Sequence, residues 1–233
     1  MACGRVSWKY LGRKKVAGVL AAAGIVMGGV ALASTASQMT PDDVLAKLVA
    51  GNKRYVEGGM TSHNLPAARA GLAAGQAPMA AVIRCADSRV APEIVFDQPL
   101  GDLFVCGVAG NIPTTEIIAS LEFGVAVLGC KLIVVMGHSA CGAVDAALEH
   151  RHDTNALPGN LPALVDQIVI PCTVNADPNA PGALDAAIAC NAREGIGGLL
   201  RGSKILSDAV EAGTLKLAAG VQDLKTGRFT LVE

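Results

Sequence analysis

Aromatic side chains are almost missing from this chain, with four Phe, two Tyr and one Trp in 233 residues. So few rings provide no platform on which unpaired bases could stack. Charge is scarce too. Charged residues make up 17%, and 19 basic against 20 acidic residues leave a formal net charge of −1. That balance provides no basic stripe for a phosphate backbone. The two shortages together exclude a nucleic-acid partner. No internal repeat is present. What fills the chain is Ala, Val, Leu and Ile, within a hydrophobic fraction of 52%. This composition suits buried parallel strands covered by helices.

A long apolar run occurs at the N-terminus. Arg5, Lys9, Arg13, Lys14 and Lys15 precede the uncharged stretch Val16 to Ala33, and Ala31-Leu32-Ala33 forms an A-x-A cleavage pattern before Ser34. Residues 1–33 are expected to be a signal peptide. The alternative is an uncleaved membrane anchor through residues 16–33, since the run just reaches spanning length. Either way the rest of the chain is expected to be exported, periplasmic or extracellular. Residues 34–40 read as a linker and 41–233 as one catalytic domain.

Seven cysteines divide by context. Cys3 falls in the signal. Cys106 and Cys130 sit in apolar, strand-like surroundings and read as buried free thiols. Cys172 and Cys190 are open to a bridge in an oxidising compartment, but spacing does not establish their separation. Cys85 and Cys141 are left for chemistry.

Along the chain, Thr40-Pro41-Asp42-Asp43 is a helix start, with Thr40 as N-cap and Pro41 in the first turn. Strands are expected at Ala80–Ile83, Asp102–Val108 and Lys131–Met136, with closing strands at Leu215–Val221 and Arg228–Val232. Helices are expected over Thr114–Leu128, from about Cys141 to Glu149, and through much of Leu161–Glu211. Strands alternating with helices predict an α/β fold with a mostly parallel central sheet and flanking helices.

Two motifs fall where predicted strands end. Cys85-Ala86-Asp87-Ser88-Arg89 and His138-Ser139-Ala140-Cys141 supply two thiolates, one imidazole and one carboxylate, all ligand types for tetrahedral Zn²⁺. Strand carboxyl ends are where open α/β sheets bind ligands. One zinc per subunit is therefore expected, held by Cys85, His138 and Cys141, with Asp87 as a fourth ligand. Buried core thiols and a closed structural zinc site are the alternatives.

The paired motifs resemble the β-class carbonic anhydrases. Gly51-Asn52-Lys53-Arg54-Tyr55, Gly101-Asp102-Leu103-Phe104 and Ala109-Gly110-Asn111 are similar to other family segments. The resemblance implies reversible zinc-dependent hydration of CO₂ to bicarbonate and a proton. It implies that Asp87 either fills the fourth zinc position or pairs with Arg89, both acting in catalysis. It also implies substrate contacts from Gln76, Phe104 and Phe123, with Val108 as a further apolar wall, and a homodimer or higher homo-oligomer. His63, His150 and His152 are candidate proton shuttles. Two departures stand out: Gly107 where the family commonly has arginine, and Val82 where some bacterial members have tryptophan. Their loss argues against the inhibitory bicarbonate site those two residues help form. A hydrolase for CS₂ or COS on the same zinc, and a non-catalytic zinc-stabilised exported protein, are the competing functions.

Overall fold

Three apolar runs form the centre of the sheet because each is short, β-branched and bounded by loop residues. The computed structural model describes residues 39–63 and 65–233, so the expected signal or anchor and most of the linker lie outside the described residues. The strands are β1 (Ala80–Arg84), β2 (Leu103–Gly107), β3 (Leu132–His138), β4 (Lys216–Gln222) and β5 (Phe229–Leu231). They pair in the order β2-β1-β3-β4-β5. The pairs from β2 through β4 are parallel, and β5 runs antiparallel to β4. β3 is buried along its whole length, as a central strand covered on both faces must be.

Helices α1 (Pro41–Glu57), α2 (Leu65–Ala74), α3 (Pro92–Val95), α4 (Thr115–Ala126), α5 (Gly142–Glu149), α6 (Leu161–Cys172), α7 (Ala183–Gly202) and α8 (Lys204–Glu211) flank the sheet. Alternation along the strands divides the core. Ala80, Val82, Val134 and Met136 join one cluster, which also holds Cys85 and Cys141. Ala81, Ile83, Ile133 and Val135 face the other, with Cys106, Leu121 and Cys130. Among the described residues no helix is long and apolar enough to cross a membrane.

The expected start of α1 is met in full. The Thr40 hydroxyl accepts from the Asp43 amide while the Asp43 carboxylate accepts from the Thr40 amide, a reciprocal capping box. Near its other end Asn52 is 5% exposed. Its Nδ2 donates to the carbonyls of Val95 and Gly227, and its Oδ1 accepts from the Phe229 amide. This one amide ties α1 to α3 and to the edge strand.

Cys172 and Cys190 form a disulfide that joins α6 to α7, with Cα atoms 5.7 Å apart. Cys106 and Cys130 are free and buried, as expected. Pro171 stands in the last turn of α6, which ends one residue later at Cys172.

Candidate metal centre

The register of the sheet explains how Cys85 and His138 meet. β1 and β3 are neighbours, with Arg84 opposite Met136. Cys85, the next residue after β1, therefore reaches the same rim as His138, the last residue of β3. Cys141 follows three residues on, as the N-cap of α5. Between them Ala140 takes φ 53°, a left-handed conformation that alanine adopts only under constraint. The turn it makes returns Cys141 to the rim.

One donor atom from each of Cys85, His138 and Cys141 lies within 4.8 Å of the others, and all three residues are buried. The two sulfurs are 4.0 Å apart. A tetrahedral ion with Zn–S of about 2.3 Å places two sulfurs about 3.8 Å apart, so the spacing fits. His138 Nδ1 lies 2.9 Å from the Ser139 carbonyl oxygen. That carbonyl can only accept, so Nδ1 carries the proton and Nε2 presents a lone pair. Nε2 is buried without a hydrogen-bond partner, an orphan that a metal would satisfy. The residues fit zinc.

Asp87 stands beside this triad but is held by Arg89. The Arg89 Nε donates to Oδ1 at 2.9 Å and Nη2 to Oδ2 at 2.7 Å, while the Arg89 amide adds a third bond to Oδ1 at 2.9 Å. Asp87 Oδ2 remains 3.9 Å from His138 Nε2. Of the two roles expected for Asp87, the structure shows the arginine pair, with two parallel bonds from one guanidinium engaging both oxygens. Those bonds hold the Asp87 carboxyl well below the usual carboxylate range.

The thiols are tuned unequally. The contact with Cys141 is the main influence lowering Cys85, to about 4, against burial; the nearby His138 imidazole and the Gly110 amide assist. Cys141 is driven up by that same contact and then by burial. For His138, burial opposes the charged form, but the contacts with Cys85 and Ser139 prevail and raise it. Without a metal the triad would hold a thiolate, a thiol and an imidazole inclined to protonate, an arrangement a divalent cation would neutralise.

The protein around the triad supplies contacts that sequence reading missed. The Gly110 amide donates to Cys85 Sγ at 3.3 Å, and the Leu224 amide donates to Ser139 Oγ at 2.9 Å. Arg84 Nη1 donates to the Cys85 carbonyl at 2.6 Å. Its guanidinium carbon lies 3.5 Å from where a Cβ on Gly107 would stand. The space over Gly107 is thus filled by an arginine from the neighbouring strand. The Ala109-Gly110-Asn111 segment was visible in the sequence; the backbone partners carried no side-chain signal.

Other expected site residues are placed elsewhere. Val108 is at the rim, its carbonyl accepting from the Ala86 amide. Phe104 pairs in register with Ala81, on the sheet face away from the cluster of Cys85 and Cys141. It packs against Phe123, ring centroids 6.4 Å apart. Gln76 is exposed and precedes β1, whereas Cys85 follows the other end of that strand. The period-two alternation of β2 and the direction of β1 therefore keep all three from the triad of their own chain. His63 lies against Asp97, 3.3 Å away, in a cluster with Arg54 and Thr61. His150 closes the far end of α5, and His152 follows it on the surface.

Residues 80–229, more than half of the chain, match the sequence profile of the carbonic anhydrase family. The chain belongs to the carbonic anhydrase family. It is 39% identical over 183 residues to carbonic anhydrase 2 of Mycobacterium tuberculosis, covering 78% of this chain and 87% of that protein. It is 34% identical over 186 residues to a carbonic anhydrase of Mycolicibacterium smegmatis, covering 80% and 87% respectively. Among solved structures it resembles a tetrameric β-carbonic anhydrase of Sordaria macrospora, with TM-score 0.63, 26% identity, and coverage of 81% of this chain and 96% of that one. It also resembles the Coccomyxa β-carbonic anhydrase solved with acetazolamide, with TM-score 0.62, 25% identity and 82% coverage of each chain. These matches agree with the β-class resemblance that the two motifs carry.

Proposed function

We propose that this chain is a zinc lyase that catalyses the reversible hydration of CO₂ to bicarbonate and a proton. The observation that carries the reading is the buried convergence of Cys85, His138 and Cys141 beside an Asp87 that Arg89 holds back. Zinc, when bound, acts as a Lewis acid that acidifies a water molecule. Cys85, His138 and Cys141 would hold it. A closed structural site would require Asp87 as a ligand, and the Arg89 guanidinium holds that carboxylate in a bidentate pair instead.

Asp87 then has a free task. Ionised and beside the triad, its carboxylate accepts a hydrogen bond from the attacking water and orients its lone pair. Arg89 fixes that carboxylate and prevents it from swinging onto the metal. Val108 contributes an apolar wall suited to a linear, uncharged substrate. Gln76, Phe104 and Phe123 are proposed substrate contacts as well, and their placement means that a second copy would have to supply them. A homo-oligomer is supported by the tetrameric structural relative and by exposed apolar side chains such as Ile94 and Leu100, which are about half exposed.

Export is part of the proposal. Its support is the basic and apolar N-terminal sequence, together with the Cys172–Cys190 disulfide, which persists in oxidising compartments and is rare in the cytosol. The test offers CO₂, COS and CS₂ separately to zinc-loaded protein. CO₂ hydration outpacing sulfide release supports the reading. Sulfide release outpacing CO₂ hydration overturns the assigned substrate.

A further inference from the structure

We propose that Asn191 is a positioning residue for the metal thiolate Cys85: from α7 it fixes Gly110, whose N–H bonds the Cys85 sulfur. The inference rests on the zinc reading of this site and deepens it.

Asn191 is a polar residue on an otherwise apolar face. Its neighbours on the buried side of α7 are Ala187, Ile188, Ala192, Gly195 and Leu199, and it is itself 5% exposed. A buried amide in such surroundings is unfavourable unless bonded. Its Nδ2 donates to the Gly110 carbonyl at 2.7 Å. The Gly110 amide donates in turn to Cys85 Sγ at 3.3 Å. Side chain, backbone residue and metal thiolate form one chain of contacts linking positions 191, 110 and 85.

Gly110 needs such restraint. It sits at φ 76° and ψ 10°, a region glycine enters freely and leaves as freely. Its carbonyl and its N–H belong to different peptide planes joined at the Cα. Asn191 therefore does not strengthen the N–H···S bond electronically; it holds the carbonyl so that the amide keeps its aim. A second hold acts on the Cα. A Cβ placed there would lie 2.7 Å from Ile168 Cδ1 and 3.4 Å from the Ala143 Cβ, so both close the space over the glycine. Ile168 comes from α6 and Asn191 from α7. The Cys172–Cys190 disulfide ties those two helices one residue before Asn191. Contacts behind a metal ligand orient it and adjust its electron donation, and losing one weakens metal binding about 10- to 100-fold.

The experiment compares wild type with Asn191→Leu, which removes the donor at similar volume, and Asn191→Asp, which keeps the shape but sets an acceptor against the Gly110 carbonyl. Ile168→Ala frees Gly110 from its other side. Asn52→Ala is the control, destabilising the fold through contacts that include none of Cys85, Gly110, His138 and Cys141. Two readouts are taken: the rate at which zinc-loaded protein yields its metal to a chromophoric chelator, and the thiolate-to-metal charge-transfer band of cobalt-substituted protein. The expected result is zinc release at least about 10-fold faster in both Asn191 variants, with an altered band, the same direction in Ile168→Ala, and neither change in Asn52→Ala. Wild-type release and an unaltered band in the Asn191 variants would overturn the proposal alone, as would matching changes in Asn52→Ala. A wild-type protein that takes up neither metal would overturn the metal reading, and this role with it.

Discussion

Arg89 grips Asp87 with its side chain from two sides, Nε to Oδ1 at 2.9 Å and Nη2 to Oδ2 at 2.7 Å, and so keeps a carboxylate beside the triad without letting it join. On the function proposed above, the pair decides whether the centre is open. Replacing Arg89 with Gln is expected to free Asp87 for the metal. CO₂ hydration should then fall about 10- to 100-fold while zinc content is retained. Steady-state rates alongside metal analysis check it; loss of zinc in proportion to loss of rate would contradict the gating role.

Metal uptake should release protons. Cys85 is already ionised at neutral pH, held down to about 4, whereas Cys141 is pushed up and keeps its proton. Zinc requires both as thiolates, so binding expels the Cys141 proton and affinity rises with pH. Calorimetric titrations in buffers of different ionisation enthalpy measure that proton count. The depressed Cys85 gives the metal-free protein a pH dependence of the same sign. Its contribution to stability is complete above the ordinary thiol range and is lost as pH falls towards about 4.

The Cys172–Cys190 bridge closes a loop of 18 residues. A loop of that size contributes about 3 kcal/mol. The double Cys→Ser variant should melt roughly 6–12 °C lower. Reductant should move wild type towards the variant and leave the variant unchanged.

Asn52 engages three backbone groups from distant segments. Asn52→Ala leaves those groups buried and unpaired, and should lose about 2–4 kcal/mol in urea denaturation. The loss should appear as a lower midpoint at constant slope.

The strands and the metal triad were legible because their signals are local. A short apolar run needs no remote information: Leu132 to Met136 could only be a buried strand, and it delivers His138 to a rim. Thr40 announced the N-cap of α1 with Pro41 beside it, and the structure adds the reciprocal bond from Asp43. Asp87 was legible as a chemical group but not as a state, because its choice between metal and Arg89 depends on rotamers. For Phe104 the family resemblance carried no information on which face of β2 it occupies, and that face is set by pairing with Ala81. Asn191 carried no signal, since its partner is a backbone carbonyl 81 residues away.

The most direct test is stopped-flow CO₂ hydration from about pH 6.5 to 9, using zinc-loaded protein that begins at Ser34, beside Asp87→Ala. The account predicts activity proportional to bound zinc, rising with pH, and reduced at least about 10-fold in the variant. Full zinc occupancy without hydration, or an Asp87→Ala protein as active as wild type, would contradict it.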